Sequence, residues 1–493
     1  MSLETLSEFN WSVMTPEFII LGVIALLTLL DLFMPKRIDR RILGWLSIAG
    51  IIAAMAALFS LLGTEPTSIL YDTFTLDMFG KSFKLLLLAG AGLVMFLAVS
   101  YDAKEGMEDY RGEFYYLFLT ALLGAMFMTS SGDLITLFIG LELLSISSYI
   151  LAGIKKHNLK SNESAMKYVI NGSIATAITL FGMSYVYGLT GSTNLAEIAN
   201  KLSAVVDGQH TYLLGLAFLM IFVGLSFKLA SAPFHMWAPD VYQGAPTPVT
   251  AFLSVVSKTA GFVIVIRILI SVFFNAAPSG DGGSILFKMH DYLAFLAAVT
   301  MIIGNVVALK QTNIKRMFAY SSIAHAGYLL VALTTLSANL IFSVWFYLLA
   351  YMLMNLGAFA VIQVVTEKTG SAEIADFAGL YRRSPVLAVT MGILLVSLAG
   401  FPGTAGFIGK LNIFVGAFYG EPHYVLASIM IATTVVSYFY YFGVMTQMFF
   451  RPAREESKFN LPFGIIVVLI VAVVGSVLFG VAPNIALDFL NKM

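Results

Sequence analysis

The sequence has no cysteine and little charge. Only 11% of its 493 residues are charged, against about 25% in a soluble domain, so its surface cannot face water on all sides. The 28 Lys and Arg balance 28 Asp and Glu, which removes the basic excess that would indicate a nucleic-acid partner. Without cysteine there is no disulfide, thiolate metal site, iron–sulfur cluster or covalently attached c-type haem. Any electron transfer linked to this chain runs through other proteins.

Long apolar runs dominate the sequence, which is 59% hydrophobic with a mean hydropathy of +0.88. About 20 apolar residues span a bilayer as a helix. We therefore predict an all-α integral membrane protein with about fourteen transmembrane helices and no water-soluble domain between them. The predicted spans, helices 1 to 14, are 17–34, 42–63, 84–101, 114–129, 133–153, 166–190, 212–232, 249–273, 291–309, 316–335, 340–366, 385–419, 424–450 and 461–482.

The Lys and Arg residues fall mostly in alternate loops. One set of loops holds 19 of them and the other holds 5, with four left inside predicted helices. Because cytoplasmic loops are enriched in Lys and Arg, the larger set is predicted to lie inside and both termini outside. The inside set includes Lys36, Lys315, Arg454 and Lys458, and the outside set consists of Lys81, Lys84, Lys201, Lys288 and Lys492.

Charged residues inside predicted helices are the first functional candidates. Placing a Lys or Arg at mid-bilayer costs roughly 2.5–3.5 kcal/mol, so such residues are kept for a reason. The four basic ones are Lys228, Lys258, Arg267 and Lys410, and Glu142 lies near the middle of helix 5. Arg267 is expected to reach the outer headgroups, because long side chains near helix ends extend to the interface. Glu142 requires a partner, and a structural salt bridge to a lysine is the plain alternative to a functional one.

Proline interrupts two of the predicted helices beside a lysine. Pro233 follows Lys228 in helix 7, and Pro402 precedes Lys410 in helix 12. Irregular backbone at membrane depth is tolerated only inside protein or beside a wet cavity. Paired interrupted helices are typical of transporters built from inverted repeats. Lys228 is central only if helix 7 resumes after its break, and otherwise it could reach the inner surface. The residues that mark the breaks are Pro233, Pro402, Gly403 and Gly406.

Two further residues complete a candidate relay. Small neighbours leave room for water around Lys258, and burial lets a lysine release its proton more readily. His325 lies in mid-helix in helix 10, where an imidazole could pass protons between Lys258 and Lys410 or could be a satisfied structural histidine. His235 lies beside the helix 7 break, where a structural or proton-uptake role is expected.

Two other functions fit these residues less well. A haem held by two histidines needs a pair at matching depth, and only His325 is clearly within the membrane. A sugar or amino-acid carrier would place amide side chains beside its deep polar groups, whereas most of the deep groups here can carry a proton. The set therefore favours proton movement.

Five segments, taken together, resemble one protein family. They are Leu141-Glu142, residues 227–237 with 244–248, Ser257-Lys258, Tyr320–Tyr328 and Ser397–Lys410. The combination is similar to the antiporter-like membrane subunits of respiratory complex I and to the related Mrp-type cation/proton antiporters. The resemblance covers essentially the whole chain, from helix 1 to helix 14.

Within that family the chain is most similar to the N-type subunits. The M-type subunits usually carry a glutamate where this sequence has Lys410. The L-type subunits continue into a long lateral helix, whereas this sequence stops at Met493. The D-type subunit of Mrp Na⁺/H⁺ antiporters shares the same set of lysines and is the alternative.

The resemblance implies an architecture and a role for each residue. Helices 7 and 12 are implied to be discontinuous, within two inverted five-helix repeats. Glu142 and Lys228 are implied to form a modulating pair, Lys258 to be the central relay, His325 to link onward and Lys410 to be the terminal relay, with His235 and Ser257 as accessory residues. The implied units are 1–110 (helices 1–3), 111–275 (helices 4–8), 276–450 (helices 9–13) and 451–493 (helix 14).

The resemblance also implies a biological setting. The chain would be a proton-translocating subunit of a bacterial NADH:quinone oxidoreductase in the cytoplasmic (inner) membrane. It would bind no metal or cofactor, while NADH, FMN, iron–sulfur clusters and a quinone would be bound by other subunits. Its expected partners are the lipid bilayer, the small K- and J-type subunits, and the M-type subunit. The residues leave open whether ferredoxin replaces NADH and whether Na⁺ replaces H⁺.

Overall fold

Helices account for almost all of the ordered backbone in the computed structural model. It describes residues 8–35, 37–102, 104, 106–205, 208–274, 284–336, 339–419, 422–453 and 459–491. Within these ranges, thirteen helices of 19 to 32 residues are long and apolar enough to cross a membrane. Two shorter apolar helices, at 385–399 and 405–416, occupy the position of the twelfth predicted span. The prediction of a helical membrane protein with about fourteen crossings is confirmed.

We number the crossings α1 to α14, with the halves of the two interrupted ones labelled a and b. Their bounds are α1 Thr15–Phe33, α2 Arg41–Leu61, α3 Met78–Ser100, α4 Arg111–Ser130, α5 Leu134–Ala152, α6 Leu159–Thr190, α7a Gly208–Leu229, α7b Trp237–Gly244, α8 Thr247–Phe274, α9 His290–Ala308, α10 Ile314–Thr335, α11 Leu340–Thr369, α12a Pro385–Ala399, α12b Ala405–Gly416, α13 Tyr424–Phe450 and α14 Phe463–Val481. Short helices connect some of them: Trp11–Met14, Glu108–Tyr110, Leu195–Val205, Ile285–Lys288, Ile374–Phe377, Leu380–Arg383 and Asn484–Asn491.

A small β-hairpin joins α2 to α3. Its strands, β1 (Thr67–Ile69) and β2 (Phe74–Leu76), pair antiparallel with Ser68 opposite Thr75. Its inward-facing side chains form a small hydrophobic cluster with Val13 and Met14. The all-helical prediction did not include this hairpin, because strands of three residues are too short to give a period-two pattern.

The most buried helices lie at the centre of the bundle. α11 is buried along its whole apolar length, and α8 and α10 nearly so, whereas less than half of the apolar length of α1, α6, α13 and α14 is buried. A helix that is apolar all round can face either protein or lipid. The central helices α8 and α10 carry Lys258 and His325, so these two polar residues lie far from the lipid-facing surface.

The interruption of α7 is confirmed. α7a ends at Leu229, and Ala230 follows with a left-handed φ of +56°. The indole nitrogen of Trp237, the first residue of α7b, donates to the carbonyl of Phe227 at 2.9 Å. The chain between the two halves contains Pro233, which has no N–H to continue the helix. Because the helix resumes as α7b, Lys228 lies inside the protein and does not reach the inner surface.

The interruption of α12 is confirmed as well. Gly400 ends α12a with a φ of +84°, and its N–H donates to the carbonyl of Ser397 at 2.9 Å. Left-handed glycine is a common end of a helix, and proline cannot continue one. Pro402 follows, and Gly403 has a second left-handed φ of +87°. Gly406, the second residue of α12b, lies against the carbonyl of Ser397, where a Cβ atom would collide.

The outside position assigned to Lys84 is wrong. α3 begins at Met78, which places Lys84 almost two turns inside the helix, and its Nζ forms an ion pair of 2.5 Å with Glu17 of α1. Both side chains are buried. Lys81 is buried in the same helix, and its Nζ donates to the carbonyl of Thr64 at 2.5 Å. The apolar residues between Met78 and Lys84 were too few to extend the predicted span.

The predicted headgroup contact of Arg267 is also wrong. Its guanidinium donates to both carboxylate oxygens of Asp77, at 2.6 and 2.8 Å, and to the carbonyl of Thr129 at 2.5 Å. Asp77 caps α3 by accepting a hydrogen bond from the N–H of Gly80 at 2.7 Å. The planar guanidinium fork matches the two oxygens of a carboxylate. Arg267 therefore joins α8 to the start of α3.

The division into repeats and the orientation stay predictions. Nothing in the helix bounds tests the limits 111–275 and 276–450, or the placing of 1–110 and 451–493 outside the repeats. Of the basic residues used for the orientation, Lys36, Arg454, Lys458 and Lys492 lie outside the described residues. Lys315, assigned to an inside loop, lies within α10 and is buried.

Candidate functional site

Four of the five predicted relay residues are buried. Lys228, Lys258, His325 and Lys410 have exposed fractions between 2% and 6%, and Glu142 is half-buried. They come from five helices: α5, α7a, α8, α10 and α12b. Lys258 Nζ lies 5.6 Å from the ring centre of Tyr351, and the ring centre of His325 lies 5.0 Å from it. Lys410 Nζ and the ring centre of His325 lie 4.9 and 5.6 Å from the ring centre of Tyr328. The structure therefore places Lys258, His325 and Lys410 close together in the interior, and their role as a relay stays a prediction.

Glu142 and the serine that binds Lys228 lie on the same turn of α5. The hydroxyl of Thr176 donates to Glu142 Oε1 at 2.9 Å, and Lys228 Nζ donates to Ser145 Oγ at 3.1 Å. Ser145 lies three residues after Glu142, so the two share one side of the helix. Among the ion pairs within 4.0 Å in the described ranges, none joins Glu142 to Lys228. A hydroxyl group separates the two charges, and their role as a modulating pair stays a prediction.

Lys258 is held by a single serine. Its Nζ donates to the backbone carbonyl of Ser322 and to Ser322 Oγ, the latter at 2.5 Å. Ser322 Oγ also lies 3.2 Å from the hydroxyl of Tyr242 on α7b. Lys258 follows a π-helical turn, Leu253–Ser257, of the kind often found at functional sites. Ser257, a predicted accessory residue, is the buried last residue of that turn.

Tyrosine hydroxyls surround His325. The hydroxyl of Tyr347 lies 2.7 Å from Nδ1, and that of Tyr441 lies 3.3 Å from Nε2. Tyr441 is in turn hydrogen-bonded to Ser321. A neutral imidazole has one donor and one acceptor nitrogen, and a hydroxyl can take either part. This environment permits His325 to exchange its tautomer without leaving a nitrogen unpaired.

Lys410 is bound to the break in its own helix. Its Nζ donates to the carbonyls of Leu398 and Ala399, both at 3.1 Å. These carbonyls end α12a and have no partner within the helix, because the helix stops at Gly400. The ammonium also lies 4.9 Å from the ring centre of Tyr328. The break therefore supplies the acceptors that stabilise a buried positive charge.

His235 lies apart from these contacts. It is buried between α7a and α7b, with its ring centre 6.5 Å from that of Tyr320. Its accessory role stays a prediction. In the part of the chain that the structure describes, no three His, Asp or Glu side chains come together as ligands of a metal would.

Two cavities lie at opposite ends of α11. One, of about 400 Å³, lies at the start of α8 and includes Thr247, Lys315 and Glu367 in its lining. The other, also about 400 Å³, is lined by Leu411 and Asn412, which directly follow Lys410, and by Asn339 of the loop before α11. Polar groups line both cavities, so both can hold water.

Sequence reasoning did not single out six hydroxyl-bearing side chains that contact the relay residues or their partners. The spacing of Tyr347 and Tyr351, four residues apart on α11, could have indicated one of them, because such residues share a helix face. Ser322 and Thr176 gave no such signal, since serine and threonine commonly bond to the carbonyl of their own helix. The missed residues are Thr176, Tyr242, Ser322, Tyr347, Tyr351 and Tyr441.

A family model described as "NADH:quinone oxidoreductase/Mrp antiporter, TM" matches residues 131–437, which is more than half of the chain. The chain belongs to this family. The NADH-quinone oxidoreductase subunit N of Geobacillus sp. (strain WCH70) is 62% identical to it over the full length of both chains. That of Bacillus anthracis is 54% identical, over 99% of this chain and 96% of the relative. The family predicted from the five segments is therefore confirmed.

Solved structures show the same fold. A chain of respiratory complex I from Thermus thermophilus with bound Aureothin is 33% identical, with a TM-score of 0.80, over 97% of this chain and 99% of that one. A chain of the Mrp complex from Dietzia sp. DQ12-45-1b has a TM-score of 0.84, over 98% and 97%, at 18% identity. The Mrp likeness shows the fold alone. Together, the relatives support an antiporter-like membrane subunit of complex I.

Proposed function

We propose that this chain moves protons through the membrane as a subunit of an NADH:quinone oxidoreductase, without carrying a redox centre itself. The observation that carries the proposal is the interior arrangement of Lys258, His325 and Lys410, each bonded to hydroxyls or carbonyls. A buried lysine with such acceptors can hold a proton, and neighbouring hydroxyls and water can pass it on. The full-length identity of 62% to a subunit N of NADH-quinone oxidoreductase supports the same setting.

The proposed relay runs from the Glu142 end to the Lys410 end. Quinone reduction elsewhere in the complex changes the charge beside Glu142. That change alters the interaction of Glu142 with Lys228, which is bound to Ser145 one turn along α5. That change shifts the proton affinity of Lys258, and a proton moves through His325 toward Lys410. Moving one charge through 100 mV costs about 2.3 kcal/mol, which is comparable to breaking one partly buried hydrogen-bonded ion contact.

The two cavities suggest where protons enter and leave. The cavity at the start of α8 is lined by Lys155, Lys160 and Lys315, residues of the loops and helix ends that the basic-residue count predicts to be inside. The cavity after Lys410 opens beside the end of α12b. With both termini outside, protons would be taken up at the first cavity and released at the second.

The subunits proposed to surround this chain are inferred from its relatives and from the side of the chain that its own helices leave uncovered. Glu142 is half-buried and bonded to α6, a helix with less than half of its apolar length covered. A neighbouring membrane subunit of the small K- or J-type, or the M-type, would cover this side. NADH, FMN, iron–sulfur clusters and quinone would be bound by other subunits, in the cytoplasmic membrane of a bacterium. The two inverted repeats would be 111–275 and 276–450.

Copurification tests the setting. We expect affinity purification of the tagged chain in mild detergent to bring along flavin and iron–sulfur subunits that oxidise NADH. The flavin and iron–sulfur absorbance of the purified material, with its NADH oxidation rate, is the measurement. Isolation with membrane antiporter subunits alone would overturn the setting in favour of the Mrp alternative.

Replacing His325 by phenylalanine tests whether this histidine relays protons or only stabilises the fold. We expect His325→Phe to assemble and to lose proton translocation, because a phenyl ring fills the space between Tyr347 and Tyr441 without a proton-carrying atom. Proton uptake by vesicles, measured per NADH oxidised, separates this outcome from a folding defect. A variant with lower thermal stability and undiminished protons per NADH would show that His325 is structural.

A further inference from the structure

The short half-helix α7b is fastened to helices on both sides by one carboxylate. Asp240 Oδ1 pairs with Arg316 Nη1 of α10 at 2.5 Å, and Asp240 Oδ2 pairs with Lys167 Nζ of α6 at 2.6 Å. No part of the relay described above uses these groups. Because Asp240 binds one cation from α6 and one from α10, it restricts how far α7b can move relative to these two helices.

A third cation holds the far end of the same half-helix. Lys315 is buried, and its Nζ donates to the carbonyl of Ala245 at 2.6 Å and to that of Gln243 at 3.4 Å. These carbonyls lie at the carboxyl end of α7b, where the partial negative charge of a helix favours a cation. Arg316 donates to the side-chain oxygen of Gln243 as well, at 3.0 Å. We call Lys167, Asp240, Lys315 and Arg316 the inner clamp.

The inner clamp is connected to the relay through α7b itself. Tyr242 follows Asp240 by two residues and places its hydroxyl 3.2 Å from Ser322 Oγ. Ser322 is the residue that accepts both hydrogen bonds of Lys258. Ser322 lies on α10, about two turns after Arg316, so the clamp binds α7b to the same helix that receives Lys258.

We propose that the inner clamp is a positioning device for Lys258: by holding α7b on α10, it keeps the hydroxyl of Tyr242 on Ser322 and so sets the acceptor of the Lys258 ammonium. A loosened α7b would leave Ser322 Oγ without Tyr242, which changes how readily Ser322 accepts a bond from Lys258. Asp240 and Tyr242 thus act on proton transfer through Ser322, without touching the lysine. This inference rests on the proposed function, in which Lys258 carries protons.

Asp240→Asn in the whole complex is the test. It keeps the shape of the side chain but removes the charge that both cations need. We expect normal assembly and NADH oxidation. The number of protons translocated per NADH should fall about twofold or more, because Asp240 acts on Lys258 indirectly, through α7b and Ser322. Asp240→Glu should restore part of the loss. Tyr242→Phe should give the same loss as Asp240→Asn, and the double variant should be no worse than either, because both changes break one connection.

Glu163→Gln is the matched control. Glu163 also pairs with Lys167, at 2.6 Å, but among the described residues it forms no ion pair or hydrogen bond with α7b, so protons per NADH should stay unchanged. Unchanged protons per NADH in Asp240→Asn, or additive losses in the double variant, would overturn the proposal. Tyr242→Phe leaves every charge in place, so an unchanged ratio there would overturn it even if Asp240→Asn failed to assemble. Full translocation by Lys258→Met would instead show that the proposed function itself is wrong.

Discussion

The two interrupted helices place a lysine beside a break in different ways. In α7 the lysine precedes the break and reaches across to a side chain of another helix, the hydroxyl of Ser145. In α12 the lysine follows the break and reaches back to two backbone carbonyls of its own helix. The turns differ too, since Ala230 takes the left-handed conformation in α7, whereas glycines take it in α12.

The difference shows which lysine can be adjusted. A backbone carbonyl accepts a hydrogen bond but cannot change its own protonation, so the acceptors of Lys410 are constant. The hydroxyl of Ser145 can donate or accept, and it lies one turn from the carboxylate of Glu142. The surroundings of Lys228 therefore fit the modulating role proposed for it, while those of Lys410 fit the proposed terminal proton carrier.

Replacing the lysines by methionine should give the largest contrast. Lys410→Met leaves two buried carbonyls without a donor, and we expect proton translocation through this subunit to be abolished. Lys228→Met should retain a measurable part of it, because Ser145 Oγ keeps its own bond to the carbonyl of Leu141 at 2.7 Å. Protons per NADH in reconstituted complexes is the measurement, with the exposed Lys201→Met as control. Equal losses in the two variants would contradict the distinction.

Gly400→Ala should have the second-largest effect. A Cβ atom there would lie 2.9 Å from Lys410 Cδ, and the φ of +84° disfavours any side chain. We expect a loss of about 1–2 kcal/mol of stability from the left-handed backbone alone, together with displacement of the lysine. Thermal inactivation of the complex and protons per NADH measure the two effects. In the control Gly443→Ala, inside α13, the Cβ atom meets open space, so protons per NADH should be unchanged and stability should rise slightly. A Gly400→Ala variant that behaved the same way would refute the account of the α12 break.

Ser145→Ala should weaken the α7 site without destroying it. The ammonium of Lys228 loses its hydroxyl acceptor, and a buried hydrogen bond to a charged group contributes about 1.5–3 kcal/mol. We expect a severalfold slower proton translocation at normal assembly, as followed by a pH-sensitive dye in vesicles. Ser148→Ala is the matched control on the same helix, since within the described ranges its hydroxyl bonds to the carbonyl of Leu144 and not to a lysine. Equal rates in both variants would show that Ser145 does not matter to Lys228.

Ala230→Gly should have the smallest effect, and a favourable one. Its φ of +56° costs an alanine about 1–2 kcal/mol that glycine avoids, although glycine gives back roughly 0.5–1 kcal/mol through its freer unfolded chain. We expect a slight rise in the inactivation temperature of the complex. Ala238→Gly, inside α7b, should lower that temperature. A fall with Ala230→Gly would mean that the α7 turn is not strained.

Much of the fold could be predicted because it depends on composition and on proline. The number of crossings follows from the apolar runs, and Pro233 and Pro402 mark both breaks. The partners of the charges could not be predicted in the same way. Lys84 and Arg267 find carboxylates on α1 and at the start of α3, and these contacts depend on how distant helices pack. The hydroxyls around Lys258 and His325 come from α7b, α10, α11 and α13, which no sequence spacing brings together.

The number of protons translocated per NADH oxidised, in whole complex carrying Lys258→Met, tests the central claim most directly. Methionine keeps the length of the side chain but cannot hold a proton, so the variant should assemble, oxidise NADH and translocate fewer protons. An assembled variant with the full number of protons per NADH would contradict a relay through Lys258.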